Sequence, residues 1–224
     1  MDKTLVAMVS YGDRAPKLHP RVDKVVHPFD PLETRLQVIR RTHDWAQQQG
    51  YKYLVIIPDD IQDWRMPDPF VDDGLTPVPV SLALVVGALT GHMERDSSIN
   101  VAGISPRKPV LPYPAGHGYV LTGVTTALRI GHAKIPDLPL ITNEDVAISA
   151  ANAESTFLLP YYWVDSERGA PGGRRGSCDA WGVSRRDAAL LSLARIEAAY
   201  LQTCLLYTSP SPRDRTRSRM PSSA

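Results

Sequence analysis

The chain has 224 residues, 43% of them apolar and 22% charged, with 25 Lys and Arg set against 24 Asp and Glu. That balance suits one soluble globular domain with a sizeable core and excludes collagen, coiled coil and wholesale disorder. The longest apolar run, Val80 to Leu89, is broken by Ser81 and Gly87 and falls well short of the roughly 20 residues a membrane span needs. Met1-Asp2-Lys3-Thr4 leads directly into an apolar run with no basic leader and no small-residue cleavage site, so the expected location is the cytoplasm.

Leu5 to Ser10 is rich in small and β-branched residues and predicts a first buried strand. Tyr11 to Pro31 is polar and Pro-rich, the composition of a loop. Asp30-Pro31-Leu32-Glu33 predicts a helix start, with Asp30 as N-cap, Pro31 in the first turn and Glu33 in the positive field of the N-terminus. Leu36, Ile39 and Trp45 follow at loosely helical spacing, and Gly50 closes the helix. Tyr53 to Pro58 (YLVIIP) is continuously apolar, as a strand covered on both faces should be, and it runs straight into Asp59-Asp60. Ile61 to Pro79 reads as a polar loop, Val80 to Arg95 as a helix, and Ile99 to Ile104 as a strand. Gly118 to Ile130 fits either one long strand or a strand turning into a helix. Ile141 to Ile148 opens a helix behind polar residues, Phe157 to Val164 is a strand, and Ser184 to Leu201 is an amphipathic helix. Such alternation predicts an α/β domain with one mixed or parallel sheet, its ligand site lying outside the carboxyl ends of the strands.

Three clusters at strand and helix ends carry chemistry. Asp59 and Asp60, delivered by the central strand, are hard oxygen donors of the kind that hold Mg²⁺ or Mn²⁺ against a diphosphate; a capped turn is the plainer reading. Glu144 and Asp145 at a helix start can accept a proton from an attacking hydroxyl, or serve only to complement the macrodipole. After the first strand, Tyr11-Gly12-Asp13-Arg14 offers a glycine that permits close backbone approach and an arginine suited to phosphate, against the plainer reading of a turn. A fourth segment, Ser166 to Arg186, combines glycine with five arginines and a tryptophan. There Arg174 and Arg175 can reach phosphates and Trp181 can stack on a base or sugar, or the segment is a solvated loop before the helix capped by Ser184.

The order YGDR, IIPDDI, NEDVAIS resembles glycosyltransferases of the GT-A fold, most similar in size and motif order to phage DNA glycosyltransferases that decorate hydroxymethylated pyrimidines. The resemblance runs through short motifs over most of residues 4–203. It implies a GT-A-like, Rossmann-like mixed sheet flanked by helices, a nucleotide-sugar donor bound by Tyr11, Gly12 and Arg14, and a Mn²⁺ or Mg²⁺ ion on Asp60 and Asp59. Asp145 or Glu144 would be the acceptor-side base. This chain has Asp-Asp-Ile-Gln-Asp in place of Asp-x-Asp, so Asp59, Asp60 and Asp63 compete for the metal role, and no C-terminal histidine ligand can be assigned.

From Cys204 to Ala224 the composition turns abruptly to Ser, Pro and Arg, and the segment resembles one reading frame of a transposase sequencing adapter. Residues 1–203 are therefore expected to form the domain, incomplete at its C-terminus, and 204–224 a non-native tail. Without the tail the basic count falls from 25 to 21 and the acidic count from 24 to 23, a net charge of −2, and Cys178 stands alone, which excludes an internal disulfide. The six histidines lack paired i, i+4 spacing, and there is no G-x-x-x-x-G-K-[ST], G-x-G-x-x-G or G-x-S-x-G motif. Two other readings stay open: a nucleotidyltransferase-like enzyme on a similar sheet, and a non-catalytic nucleic-acid or virion-associated binding protein acting through the Arg174 region.

Overall fold

The computed structural model describes residues 3–10, 20–30, 32–59, 61–70, 76–105, 116–117, 125–140, 142–166 and 184–201. In chain order these form β1 (Thr4–Val9), β2 (Lys24–Val26), α1 (Arg35–Gln48), β3 (Tyr53–Pro58), β4 (Ile61–Pro67), β5 (Pro77–Val80) and α2 (Leu82–Arg95). There follow β6 (Val101–Ser105), β7 (Gly116–His117), β8 (Thr126–Arg129), α3 (Glu144–Ala151), β9 (Thr156–Ser166) and α4 (Arg185–Ile196), which continues into a π-helical turn at Glu197–Leu201. One mixed sheet runs β2-β1-β3-β8-β6-β9-β4-β5, with β7 paired to β9. The expected α/β class, a single mixed sheet flanked by helices, is what the chain adopts.

The centre of the sheet follows from the most apolar sequence. β1 and β3 lie parallel in unbroken register, Thr4 opposite Tyr53 through Val9 opposite Pro58, and all six residues of β3 are buried. Alternation sends Leu5, Ala7, Val9, Leu54 and Ile56 to one face, against Leu36, Ile39 and Ala46 of α1 and Ala147 and Ile148 of α3. Val6, Met8, Val55 and Ile57 face the other side, against Leu82, Val85, Leu89 and Met93 of α2. Two covered faces explain why these strands read as unbroken apolar runs.

The structure corrects the expected start of α1. Its N-cap is Thr34, four residues beyond Asp30: the Thr34 hydroxyl accepts the Gln37 N–H at 3.3 Å and the Gln37 carboxamide accepts the Thr34 N–H at 2.7 Å. This reciprocal box satisfies two donors at once, which Asp30 cannot do. Asp30 instead accepts the N–H of Leu32 at 2.8 Å in a turn, and Glu33 pairs with Arg41 at 3.0 Å. Thr34→Ala is expected to lower the unfolding free energy by about 1 kcal/mol, read by urea denaturation. An unchanged midpoint would assign the helix start elsewhere. At the other end, Gly50 takes φ +70° just beyond the C-cap Gln49, as its position predicts.

Three strands fall where the sequence predicts loops. β2 lies inside the Tyr11–Pro31 stretch and is only three residues long; its pairing with Ala7 to Val9 makes it a strand. β4 lies inside Ile61–Pro79 and β5 begins there but takes in Val80, the residue from which the sequence predicts a helix; the two pair antiparallel, Trp64 opposite Val80 and Pro67 opposite Pro77. Pro77 and Pro79 are tolerated because β5 is the last strand of the sheet. Of the segment left open between Gly118 and Ile130, Thr126–Arg129 is a strand, antiparallel to both β3 and β6. The helix expected from Val80 to Arg95 is α2, which begins at Leu82 behind the cap Ser81 because Val80 is taken by β5, and the one expected at Ser184–Leu201 is α4, capped by Ser184.

Candidate active site

β1, β2, β3, β6 and the first half of β9 run the same way, so their carboxyl ends share one edge of the sheet. β8 runs in reverse and begins at that edge. Buried hydroxyls gather there at the ends of apolar strands: Ser10 after β1, Ser105 ending β6 and Thr125 before β8. Ser10 is fully buried; its N–H donates to the carbonyl of Val26 at 3.0 Å and its hydroxyl to Oδ2 of Asp59 at 2.9 Å. Asp59 is thus held at the end of the central strand, half-buried, by the residue that ends the neighbouring strand. The hydroxyl of Thr125 accepts the indole N–H of the buried Trp64 at 2.7 Å, fixing the start of β8 to β4.

The acid pair of α3 lies on the same side. Arg35, the first residue of α1, begins where the chain leaves β2 at the carboxyl edge, and its Nε lies 3.1 Å from Oε1 of Glu144. The structure separates the two acids, which the sequence leaves interchangeable. Glu144 is buried and faces the Arg35 guanidinium. Asp145 is pushed up from 3.8 to about 6, first by burial and then by the charge of Glu144; the N–H groups of Val146 and of Asp145 itself, together with Arg35, oppose that shift.

Residue 143 sets the geometry of this helix start. Asn143 has φ +62° and ψ +32°, the left-handed region, and is the one non-glycine residue with positive φ among those described. Its side chain makes no capping bond to α3; its Nδ2 donates to the carbonyl of Ala189 in α4 at 3.4 Å. Beside it, the N–H of Thr142 donates to the hydroxyl of Ser192 at 3.3 Å, and Arg195 donates to the carbonyl of Pro139.

Of the residues singled out from sequence, the structure brings Asp59, Glu144 and Asp145 to one edge. Tyr11, Gly12, Arg14, Asp60, Arg174, Arg175 and Trp181 lie outside the described residues, as do 204–224. Asp63 sits within β4, opposite Asp165. Among the described residues, no three His, Cys, Asp or Glu side chains cluster as a metal site. Sequence reasoning misses Ser10, Arg35 and Asn143. The only trace of Ser10 is that it is the first polar residue after an apolar strand; that of Asn143 is that asparagine tolerates the left-handed region.

No described helix is long and apolar enough to cross a membrane. No protein-family model matches the sequence, and no curated protein does. Among solved structures, A197 from STIV is similar at 14% identity over 75% of this chain and 86% of that one, with a TM-score of 0.49. A CMP:2-keto-3-deoxy-manno-octonic acid synthetase complexed with CTP is similar at 11% identity over 86% of this chain and 100% of the other, with a TM-score of 0.32. At these scores neither likeness carries an argument about function.

Proposed function

We propose that the chain is a metal-dependent glycosyltransferase, moving a sugar from a nucleotide-sugar donor to a hydroxyl acceptor, with a hydroxymethylated pyrimidine of phage DNA as the acceptor class. One observation supports this above the others: Asp59 at the tip of the central strand and the Glu144–Asp145 pair at the start of α3 stand on the same carboxyl edge. That is where ligands bind in open α/β sheets.

Asp59 and Asp60 would hold the divalent ion. The donor chemistry fits Mn²⁺ or Mg²⁺, since the Asp59 carboxylate carries a hydroxyl donor behind it that fixes its orientation. When bound, the ion would offset the charge of the departing nucleoside diphosphate. Asp145 is the acceptor-side base: at about 6, its carboxyl is largely ionised at neutral pH yet takes a proton more readily than an ordinary aspartate. Glu144, held by Arg35, ties α3 to α1 and raises the basicity of its neighbour. Arg14 is assigned to the donor by the sequence resemblance, and Arg174, Arg175 and Trp181 by the glycine- and arginine-rich character of their segment.

The test is to incubate the full chain with a panel of nucleotide sugars and Mn²⁺ or EDTA, and to measure released nucleoside diphosphate. Release is expected with Mn²⁺ only, and Asp59→Asn or Asp60→Asn is expected to cut it by about a hundredfold. Consumption of a nucleoside triphosphate with pyrophosphate release would make the chain a nucleotidyltransferase instead. Metal-independent retention of oligonucleotides, lost in the Arg174→Ala/Arg175→Ala double variant, would make it a binding protein.

A further inference from the structure

Among the described residues, α4 buries one stripe, Ala188, Ser192 and Ile196, spaced four residues apart. That side of the helix meets the approach to α3, where Ser192 accepts the N–H of Thr142 and the carbonyl of Ala189 accepts Nδ2 of Asn143. Away from it stand Leu190, 57% exposed, Leu191, 49% exposed, and Leu193, 45% exposed. These are three of the eight large apolar side chains exposed among the described residues, and they fall within four consecutive positions. Single exposed leucines are ordinary. Three together, on a helix whose other side is already packed, form a patch of the kind that marks an interaction surface.

Two opposite charges frame this patch. Arg186 lies four residues before Leu190 and Glu197 four after Leu193, and both are exposed. Glu197 keeps helical backbone, φ −58° and ψ −50°, and its N–H bonds to the carbonyl of Leu193, so the helix runs on to it unbroken. The spacing 186, 190, 193, 197 alternates four and three, as along the seam of a two-helix coil, and sets the four residues on one line roughly 17 Å long. Leu191 lies off this line. Along it the order is cation, leucine, leucine, anion, which is complementary to its own reverse.

We propose that this seam is an interface between two copies of the chain, their α4 helices antiparallel about a two-fold axis that passes between Leu191 and Ser192. Leu190 of each copy packs on Leu193 of the other, and Arg186 of each meets Glu197 of the other, so every contact is made twice. A parallel pair would set Arg186 against Arg186 and Glu197 against Glu197, and repulsion disfavours it. The same reciprocity favours a second copy over an unrelated protein, which would have no need of a surface complementary to its own reverse. With two leucines per copy the seam is smaller than the interface of a tight dimer, so the association is a weak one. It is independent of the glycosyltransferase reading.

Sedimentation equilibrium of the full chain is the test. The wild type is expected to be monomeric near about 10 µM and to dimerise by about 300 µM. Leu190→Ser/Leu193→Ser should abolish the dimer without lowering Tm, because both side chains are exposed. Arg186→Glu or Glu197→Arg alone puts like charges together at both contacts and should weaken association about tenfold. Each of these reversals suits the helix dipole at its own end, so a lost dimer cannot be laid to a lost helix. The doubly reversed chain, Arg186→Glu/Glu197→Arg, restores both pairs and should return to within about threefold of the wild type. A wild type that stays monomeric throughout overturns the proposal, as does a dimer indifferent to the leucine variant. A monomer whose Tm falls in the leucine variant would show the patch covered by the chain's own residues, and overturns it too. Failure of the double reversal to recover the dimer overturns the antiparallel pairing.

Discussion

Replacing Asp145 by Asn is expected to make the fold more stable at neutral pH while it abolishes turnover. The carboxyl is raised from 3.8 to about 6 in the folded chain, chiefly by burial and next by Glu144, so the folded state binds its proton more tightly than the unfolded state does. For a group shifted in this direction, stability is greatest when the group is protonated and is lost as pH rises through the window from about 4 to about 6. Above that window the ionised carboxylate is a standing cost. Two pKa units correspond to roughly 3 kcal/mol, and the partial solvent contact of Asp145 reduces the relief from Asp145→Asn to about 2 kcal/mol at pH 7. Urea unfolding of both proteins from pH 4 to pH 8 measures it: the curves should converge at the acid end, draw apart between about pH 4 and pH 6 and keep a constant gap above that window. Parallel curves would mean that Asp145 is not held in the unfavourable setting described. Removing a general base should also lower turnover by about a hundredfold or more. The residue proposed to do the chemistry is thus one the fold would be better off without.

The second large effect is expected at the opposite edge of the sheet. Arg129, the last residue of β8, donates from Nε to the carbonyl of Ile99 at 3.1 Å, from Nη2 to the carbonyls of Asp96 and Met93, and from Nη1 to the Tyr53 hydroxyl at 3.2 Å. Tyr53 in turn donates to Glu94 at 2.5 Å, and burial together with that bond raises the phenol above its ordinary range. Met93 and Asp96 belong to the last turn and C-cap of α2, whose carbonyls have no partner within the helix. One guanidinium therefore closes α2, fixes the approach to β6 and joins β8 to β3. Arg129→Ala strands several partly buried acceptors at once and is expected to cost about 3 kcal/mol by urea unfolding. Arg129→Lys should recover less than half of that, because an ammonium cannot span the fork of acceptors. Donor cleavage per folded molecule should stay unchanged in both variants, since the cluster lies at the amino ends of the strands. A loss below about 0.5 kcal/mol in Arg129→Ala would overturn the clamp.

How far the sequence reads true depends on what each element needs from its neighbours. β3 and β1 are legible because burial on both faces demands apolar residues at every position, a signal carried by six consecutive letters. α2 is legible through its apolar run, and α4 through its Ser184 cap. β2 and β5 are not, because a short outer strand is defined by the partner it pairs with and not by its own composition; Pro77 and Pro79 even argue against a strand. Read from sequence, the start of α1 is misplaced at Asp30, because the reciprocal pair at Thr34 and Gln37 outweighs a single acid. In the site, carboxylates at strand and helix ends announce themselves by type. The groups that orient them do not: Ser10 and Arg35 act through contacts made across 49 and 109 residues of chain.

The reversed strand β8 has a consequence for how the chain is assembled. β3 ends at residue 58 and β6 at residue 105, yet the two are joined only by Thr126–Arg129, which lies between them and bonds to both. During synthesis the YLVIIP strand must wait, with one row of backbone donors and acceptors unpaired, until about seventy further residues have emerged. An apolar, β-branched segment exposed in that way is a template for self-association. Closure of the sheet is a late and long-range event of the kind that slows folding. Yield of soluble protein should accordingly respond more steeply to expression temperature and chaperone supply than the stability of the finished fold would suggest.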